Sequence, residues 1–292
     1  MTPKKLPPLL AMAGMAVMPQ AAMAGDYDDE EGLPFEEAHL FFELNHTDGD
    51  LGIHGLIDGD AWKRLSIEDQ QEKTVLNVFV RGRLRKQGLT EIFFESAEPP
   101  FDELAPGRFF RRFPAGIYEI EGKTLEGDEL ESEVELTHRM PAPAEPTVNG
   151  MPMAGQCDDE EPGYDATLVG PPGTPVTIAW PAVDSTHPDL GSPRNSPNIT
   201  IHNYEVVVEA ELEGGDDEEF TTVFSALVPP DLLSMTIPAE FLLQTDTFKY
   251  EVLAREESFN QTAVDRGSAG EDRTERICAR TTAETRAYRN IL

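Results

Sequence analysis

The sequence predicts an all-β protein with two β-sandwich domains that follow an N-terminal signal peptide. Short segments rich in Val, Ile, Phe and Thr recur along most of the chain, and turn formers such as Asp-Gly and Gln-Gly separate them. This spacing is typical of antiparallel sandwiches. A Pro-rich stretch near the middle divides the segments into two groups, and 292 residues suffice for two domains.

Residues 1–24 have the features of an export signal. Lys4 and Lys5 precede the apolar stretch "LPPLLAMAGMAVM", and "AMA" at 22–24 is a small-residue cleavage site. The apolar stretch is too short and too interrupted to span a bilayer. We therefore expect cleavage near Ala24, a periplasmic or secreted protein, and no membrane insertion. An acidic leader follows over residues 25–35.

The first β-sandwich domain is expected over residues 36–140, and its residues do not indicate a family. Its predicted strands are "AHLFFEL", "LGIHGLID", "TVLNVFVRGRL", "LTEIFFESA", "GIYEIEGKTL" and "ESEVELTHRM". The segment "FDELAPGRFFRRFP" at 101–114 breaks the alternation. We expect it to form a short helix or helical turn across one end of the sheet.

A Pro-rich, acidic linker is expected over residues 141–166, and a second β domain over 167–268. The predicted strands of the second domain are "VTIAW", "ITIHNYEVVVEAEL", "EFTTVFSALV", "LSMTIP" and "TFKYEVLAREES". Residues 269–292 form a charged tail. Buried Trp and alternating apolar strands are what a two-sheet core requires.

The order of aromatic residues in the second domain resembles a fibronectin type III domain. Trp180 lies on an early strand, Tyr204 begins a middle strand, and Tyr250 to Ala254 reads Tyr-x-Val-x-Ala. The resemblance implies that the Trp fills the space between two sheets and that a late tyrosine hydrogen-bonds back to the chain. It implies binding or architecture rather than catalysis. The long loop "DSTHPDLGSPRNSPN" departs from the pattern. The whole chain resembles bacterial exported proteins in which a β domain precedes such a module, which implies no particular activity.

Charge and cysteine usage restrict the partners. The chain has 55 acidic and 23 basic residues and a net charge of −32, so it repels nucleic acid and anionic membranes. We expect a protein or polysaccharide partner in the envelope or the extracellular space. Cys157 and Cys278 are expected to form a disulfide in an exported protein, worth about 4 kcal/mol, with two free thiols as the alternative.

Two Asp-Gly-Asp triplets in "NHTDGDLGIHGLIDGDAW" have two interpretations. They indicate two tight turns, or a calcium site if the turns face each other. The candidate calcium ligands are Asn45, Asp48, Asp50, Asp58 and Asp60. The EF-hand frame fails, since Ile53 and Gly59 stand where it needs Gly and Glu. A zinc or iron site at His39, His46 and His54 is an alternative that matches no known spacing, and solvated surface histidines are expected instead.

Arginines form the basic patches of this acidic chain. If "RGRLRK" is a strand, Arg81, Arg83 and Arg85 share one face, and "RFFRRFP" adds Arg111 and Arg112. Such patches suit an acidic glycan, a carboxylate peptide or an acidic segment of this chain. The alternative is a solvated edge strand that its charge protects from aggregation.

No catalytic motif of a hydrolase, metalloprotease or nucleotide-binding enzyme is found in the sequence. We therefore predict an exported, non-enzymatic binding or structural protein, with calcium as a candidate stabilising ion. The alternative is an accessory or catalytic component of an extracellular polymer hydrolase, which would need a cleft with converging carboxylates.

Overall fold

The computed structural model describes residues 32–152, 166–167, 173–213, 219–245 and 247–270. Strands make up most of these residues, so the predicted all-β class is confirmed. The signal peptide, Cys157, Cys278 and the tail from residue 271 lie outside the described residues. Cleavage near Ala24 and the disulfide therefore stay predictions. The described residues include no helix that is long and apolar enough to span a membrane.

The first unit, residues 32–140, contains six strands, a short α-helix and a 3-10 helix. They are β1 (Glu37–Asn45), β2 (Asp50–Glu68), β3 (Thr74–Phe79), the 3-10 helix (Leu84–Lys86), β4 (Leu89–Glu95), α1 (Pro106–Arg112), β5 (Gly116–Thr124) and β6 (Glu129–Leu136). The expected helix within 101–114 is confirmed, and the buried Phe109 of α1 contacts the ring of Phe42 on β1 with centroids 5.6 Å apart.

β2 organises the first unit because its partners change along its length. It pairs with β1 and β4 up to Asp58, with β4 and β5 at Trp62, and with β3 and β5 from Arg64 onward. Apolar residues from both halves of this sheet pack in one core, among them Leu40, Ile57 and Ile120. The second Asp-Gly-Asp triplet therefore lies inside a strand, where β2 exchanges one set of neighbours for the other.

The second unit, residues 141–270, is a two-sheet sandwich. Its elements are β7 (Thr147–Val148), β8 (Met151–Pro152), β9 (Ala166–Thr167), β10 (Val176–Ala179), β11 (Ile201–Glu213), β12 (Glu219–Val228), β13 (Ser234–Ile237), α2 (Ala239–Leu242), β14 (Thr247–Glu256) and β15 (Gln261–Gly270). One sheet has the order β12-β11-β14-β15, and the other has the order β13-β10-β7-β8. Trp180 and Tyr204 are buried in the core with ring centroids 5.3 Å apart. The Tyr204 hydroxyl accepts the N–H of Val183 at 2.9 Å.

The described part of the expected linker belongs to the second unit. β7 and β8 lie within residues 141–152, and Val148 is fully buried opposite Ile178 of β10. Ala144 is also in the core. These short apolar residues complete the smaller sheet, so this part of the Pro-rich segment is packed rather than solvated.

The two units share one continuous sheet, because β15 pairs in parallel with β1. The long loop over residues 181–200, which departs from the fibronectin type III pattern, adds a second connection. Its Leu190 is buried in the core of the first unit. Its His187 N–H donates to the Met140 carbonyl at 2.8 Å, and its Ser192 N–H donates to the His138 carbonyl at 2.7 Å. The junction is therefore a packed interface.

Candidate binding groove

The arginines predicted to share a strand face lie in a turn and a 3-10 helix. β3 ends at Phe79, and the buried Val80 donates its N–H to the Lys63 carbonyl at 3.0 Å. Gly82 then adopts a φ of +65°, which ends the extended backbone. Arg83 immediately precedes the 3-10 helix, and Arg85 lies within it. The expected alternation of Arg81, Arg83 and Arg85 on one strand face is therefore wrong.

Two of these arginines nevertheless line a concave surface of the first unit. The basic groove has a volume of about 560 Å³, and its lining residues are Lys63, Arg64, Phe79, Val80, Arg81, Gly82, Arg85 and Lys123. Five of the eight side chains are cations, and they come from β2, β5 and the connection between β3 and β4. The fold thus gathers cations that are distant in the sequence.

A register shift in β2 places two consecutive cations at the groove. Trp62 pairs with Thr124 of β5 and Arg64 pairs with Lys123, which leaves Lys63 as an extra residue. Such bulges redirect side chains, and they are frequent near functional sites. The fully buried Trp62 anchors the strand immediately before the bulge.

Phe79 contributes an aromatic surface to the basic groove. Its side chain is 54% exposed, and the guanidinium carbon of Arg64 lies 5.6 Å from its ring centroid. This cation–π contact orients Arg64 while its N–H donors stay accessible.

The cations of the groove are largely available to a ligand. Lys123 forms an ion pair with Glu129, whereas Lys63, Arg64, Arg81 and Arg85 form no ion pair with any acidic residue that the structure describes. The lining contains no carboxylate, imidazole, hydroxyl or thiol. The groove therefore has the groups that bind an anion.

The other predicted arginines lie outside the groove. Arg83 is exposed beside it, and Arg111 and Arg112 are exposed in the last turn of α1. Lys63, Arg64 and Lys123 line the groove but were not predicted from the sequence. Lys63 and Arg64 could have been found from the sequence, because they are adjacent cations within an otherwise alternating strand. No comparable sequence feature marks Lys123.

The five candidate calcium ligands do not converge. Asn45 closes a tight turn, since its side-chain Oδ1 accepts the Asp48 N–H at 3.2 Å and its carbonyl accepts the Gly49 N–H at 2.9 Å. Asp58 and Asp60 lie within β2. At about 3.3 Å per residue, Asp58 is roughly 26 Å from Asp50 along the strand. The tight-turn interpretation holds for the first triplet, and neither interpretation holds for the second.

The three sequence-predicted histidines occupy three different environments. His39 stacks on Phe259 with ring centroids 4.0 Å apart, and His54 is only 1% exposed, so the expectation of solvated surface histidines is wrong for His54. His46 Nδ1 lies 3.2 Å from Nε2 of His187 in the loop over residues 181–200. Burial lowers the pKa of His39 and of His46. These histidines do not form one metal site.

No protein-family model matches this chain, and no curated protein matches it either. Similar solved structures include fibronectin(III)-like modules of Clostridium thermocellum CbhA, at 9% identity and a TM-score of 0.25, covering 83% of this chain and 93% of that chain. The human OSCAR ligand-binding domain has 9% identity and a TM-score of 0.25, covering 82% and 96%. A bacterial ice-binding adhesin has 12% identity and a TM-score of 0.20, covering 85% and 67%. At these TM-scores the likenesses carry no argument about function.

Proposed function

We propose that this chain is an exported, non-enzymatic binding protein that recognises an anionic partner through the basic groove. The observation that carries this proposal is the set of four groove cations that form no ion pair with any described acidic residue, in a chain of net charge −32. In so acidic a chain, groove cations that stay unpaired among the described residues are a specific feature rather than a consequence of composition.

The partner's chemistry follows from the groove and from the surrounding charge. Arginine fits planar carboxylates, and Phe79 offers a flat apolar surface to a sugar ring or an apolar side chain. The overall negative charge repels every polyanion at long range, so the partner must be held by direct contacts within the groove. The partner class is therefore a carboxylate-bearing polymer of the envelope or extracellular space, such as an acidic polysaccharide or an acidic protein segment.

The groove lies on a β-sheet, so it can bind a partner without a large change in backbone conformation. The bulge at Lys63 and the buried Trp62 belong to the sheet that continues through both units. A groove on a sheet keeps its cations at a fixed spacing, which reduces the entropy cost of binding. Arg81 and Arg85 lie on the connection between β3 and β4 rather than on the sheet.

Paired charge reversals test the proposal. The groove variant carries Arg81→Glu and Arg85→Glu, and the matched control carries Arg111→Glu and Arg112→Glu on α1. Both variants change the net charge equally, so a general electrostatic effect weakens both to the same extent. Two lost charge-assisted contacts are expected to weaken binding at least tenfold, about 1.4 kcal/mol, in the groove variant only.

Binding is measured by calorimetry with polygalacturonate and with poly-glutamate at low and high salt. Affinity that falls equally in both double variants, or a wild-type chain that binds neither polymer, contradicts the proposal. Export is tested separately, by the N-terminal sequence of the protein recovered outside the cytoplasm, which is expected to begin after Ala24.

A further inference from the structure

A second polar cluster lies on the outer face of the first unit, away from both the core and the basic groove. His54 on β2 lies opposite Glu95 on β4, and Glu43 on β1 lies opposite Gly52 on β2. Residues of alternate parity on these strands, such as Ile53, belong to the core, so His54, Glu43 and Glu95 face outward. Glu98, just after β4, completes the histidine–carboxylate cluster.

The ligand atoms of this cluster are close together. His54 Nε2 lies 3.0 Å from Glu98 Oε1, and one ligand atom from each of His54, Glu95 and Glu98 lies within 4.8 Å of the others. Two ligands of a tetrahedral zinc ion are roughly 3.3 Å apart when each is about 2.0–2.1 Å from the metal. The His54–Glu98 distance is within a few tenths of an ångström of that value, and the ligand atom of Glu95 lies within 4.8 Å of both.

The imidazole of His54 is buried and oriented from both sides. His54 is 1% exposed, and the rings of Phe41 and Phe93 lie 5.4 and 6.0 Å from it. Its Nδ1 has no hydrogen-bond partner among the described residues and faces the Glu43 Oε2 at 3.7 Å. A carboxylate on the far side of the ring is the usual outer neighbour of a metal-binding histidine.

Gly52 makes room for the third carboxylate. A Cβ atom at this position would lie 1.9 Å from Glu98 Oε1, so the absence of a side chain lets Glu98 reach His54. Its backbone needs no left-handed conformation, since Gly52 is not among the residues with positive φ. A side chain at this position would displace the Glu98 carboxylate from His54.

We propose that His54, Glu95 and Glu98 bind a divalent transition-metal ion such as zinc, with Glu43 as the outer carboxylate. Three carboxylates around one imidazole repel each other, and a divalent cation offsets that repulsion. Calcium prefers six to eight oxygen ligands and does not use imidazole, whereas zinc accepts both donor types. Glu95 is exposed, which leaves the site accessible to the ion and to a fourth ligand from solvent.

Calorimetric titration with zinc chloride tests the proposal. Cys157→Ser and Cys278→Ser are introduced into every protein, because thiolates bind zinc independently. Glu95→Gln removes a ligand from an exposed position, and Glu91→Gln makes the same change in charge on the same face of β4. We expect one zinc site, at least about tenfold weaker in Glu95→Gln and unchanged in Glu91→Gln.

Gly52→Ala gives an independent test, because it keeps every ligand and moves only the Glu98 carboxylate. Zinc affinity is expected to fall in this variant too, with an unchanged far-ultraviolet spectrum. The proposal is overturned if Glu95→Gln and Glu91→Gln bind zinc equally, or if the reference protein binds none. It is also overturned if calcium gives the same affinity and the same dependence on Glu95. Because the basic groove is separate, polymer binding is expected to be unaffected by Glu95→Gln.

Discussion

Acidification tests the buried histidine pair that joins the two units. His187 is 2% exposed, and its Nδ1 accepts the N–H of Asp189 at 3.1 Å and of Leu190 at 3.0 Å. Its proton is therefore on Nε2, which donates to His46 Nδ1 at 3.2 Å. A second proton on the His187 ring would have to bind Nδ1, which already accepts the two N–H groups of the loop. The folded state thus requires a neutral His187.

The size of the effect follows from the pKa of His187. Burial first, and then the charges of His46 and Arg194, lower this pKa from 6.5 to about 3. Between these values the unfolded chain binds a proton that the folded chain does not. The contribution of His187 is complete above pH 6.5 and decreases by about 1.4 kcal/mol per pH unit as the pH falls toward 3. Near pH 5 the loss is about 2 kcal/mol.

Other groups stabilise the folded state as the pH falls, so the effect of His187 must be measured against a matched variant. Burial raises the pKa of Glu43 and of Glu256, and these carboxyls favour the folded state as the pH falls. In His187→Asn the side-chain oxygen can replace Nδ1 as the acceptor for the loop, but it does not titrate. We expect the stability advantage of the wild type over this variant to shrink by about 2 kcal/mol from neutral pH to about pH 5.

Urea unfolding followed by tryptophan fluorescence measures this difference. Trp62 is buried in the first unit and Trp180 in the second, so the signal reports on both. A stability difference that is constant with pH would refute the reasoning, and so would one that grows in acid. Either result would mean that His187 is protonated in the folded protein.

Two further substitutions test the interface between the units. The fully buried Asn260 accepts the N–H of Phe42 at 2.8 Å and donates to the Arg139 carbonyl at 3.2 Å. Because a carboxylate cannot donate there, Asn260→Asp is expected to lower the free energy of unfolding in urea by about 3 kcal/mol. An unchanged urea midpoint would contradict this. Leu190→Ala is expected to lower the free energy of unfolding by about 2–4 kcal/mol, because Leu190 is only 4% exposed in the core of the first unit. Leu232→Ala, at a position that is 46% exposed, serves as the control. Equal urea midpoints for the two variants would show that the loop is not packed as described.

Local patterns were sufficient for much of the fold. Alternating apolar residues predicted β1, β4, β5 and β14 with end positions close to those observed, and the break in alternation predicted α1. The Trp180 environment was also predictable, because a large ring between polar turns requires a two-sheet core. β15 was not predicted, since its sequence "QTAVDRGSAG" has few apolar residues, and its pairing with β1 has no local signal.

The candidate sites depended on contacts that are distant in the sequence. Arg81 and Arg85 were identified from a basic run, but their groove partners Lys63, Arg64 and Lys123 come from two other strands. The Asp-Gly-Asp at 58–60 was expected to turn, yet it continues a strand. A Cβ at Gly59 would lie 3.0 Å from the Phe35 ring, a tight contact that local sequence does not reveal.

The sequence by itself determined most of the long extended segments, the burial of Trp180, and the strongly acidic charge of the chain. These properties depend on side-chain alternation and composition, which act over a few residues. Only the tertiary structure decided which cations share the groove, that His54 is enclosed by Glu43, Glu95 and Glu98, and that the long loop joins the units. The reason is that strand pairing and register bring together residues far apart in the chain, and a shift of one residue reverses which face each side chain occupies.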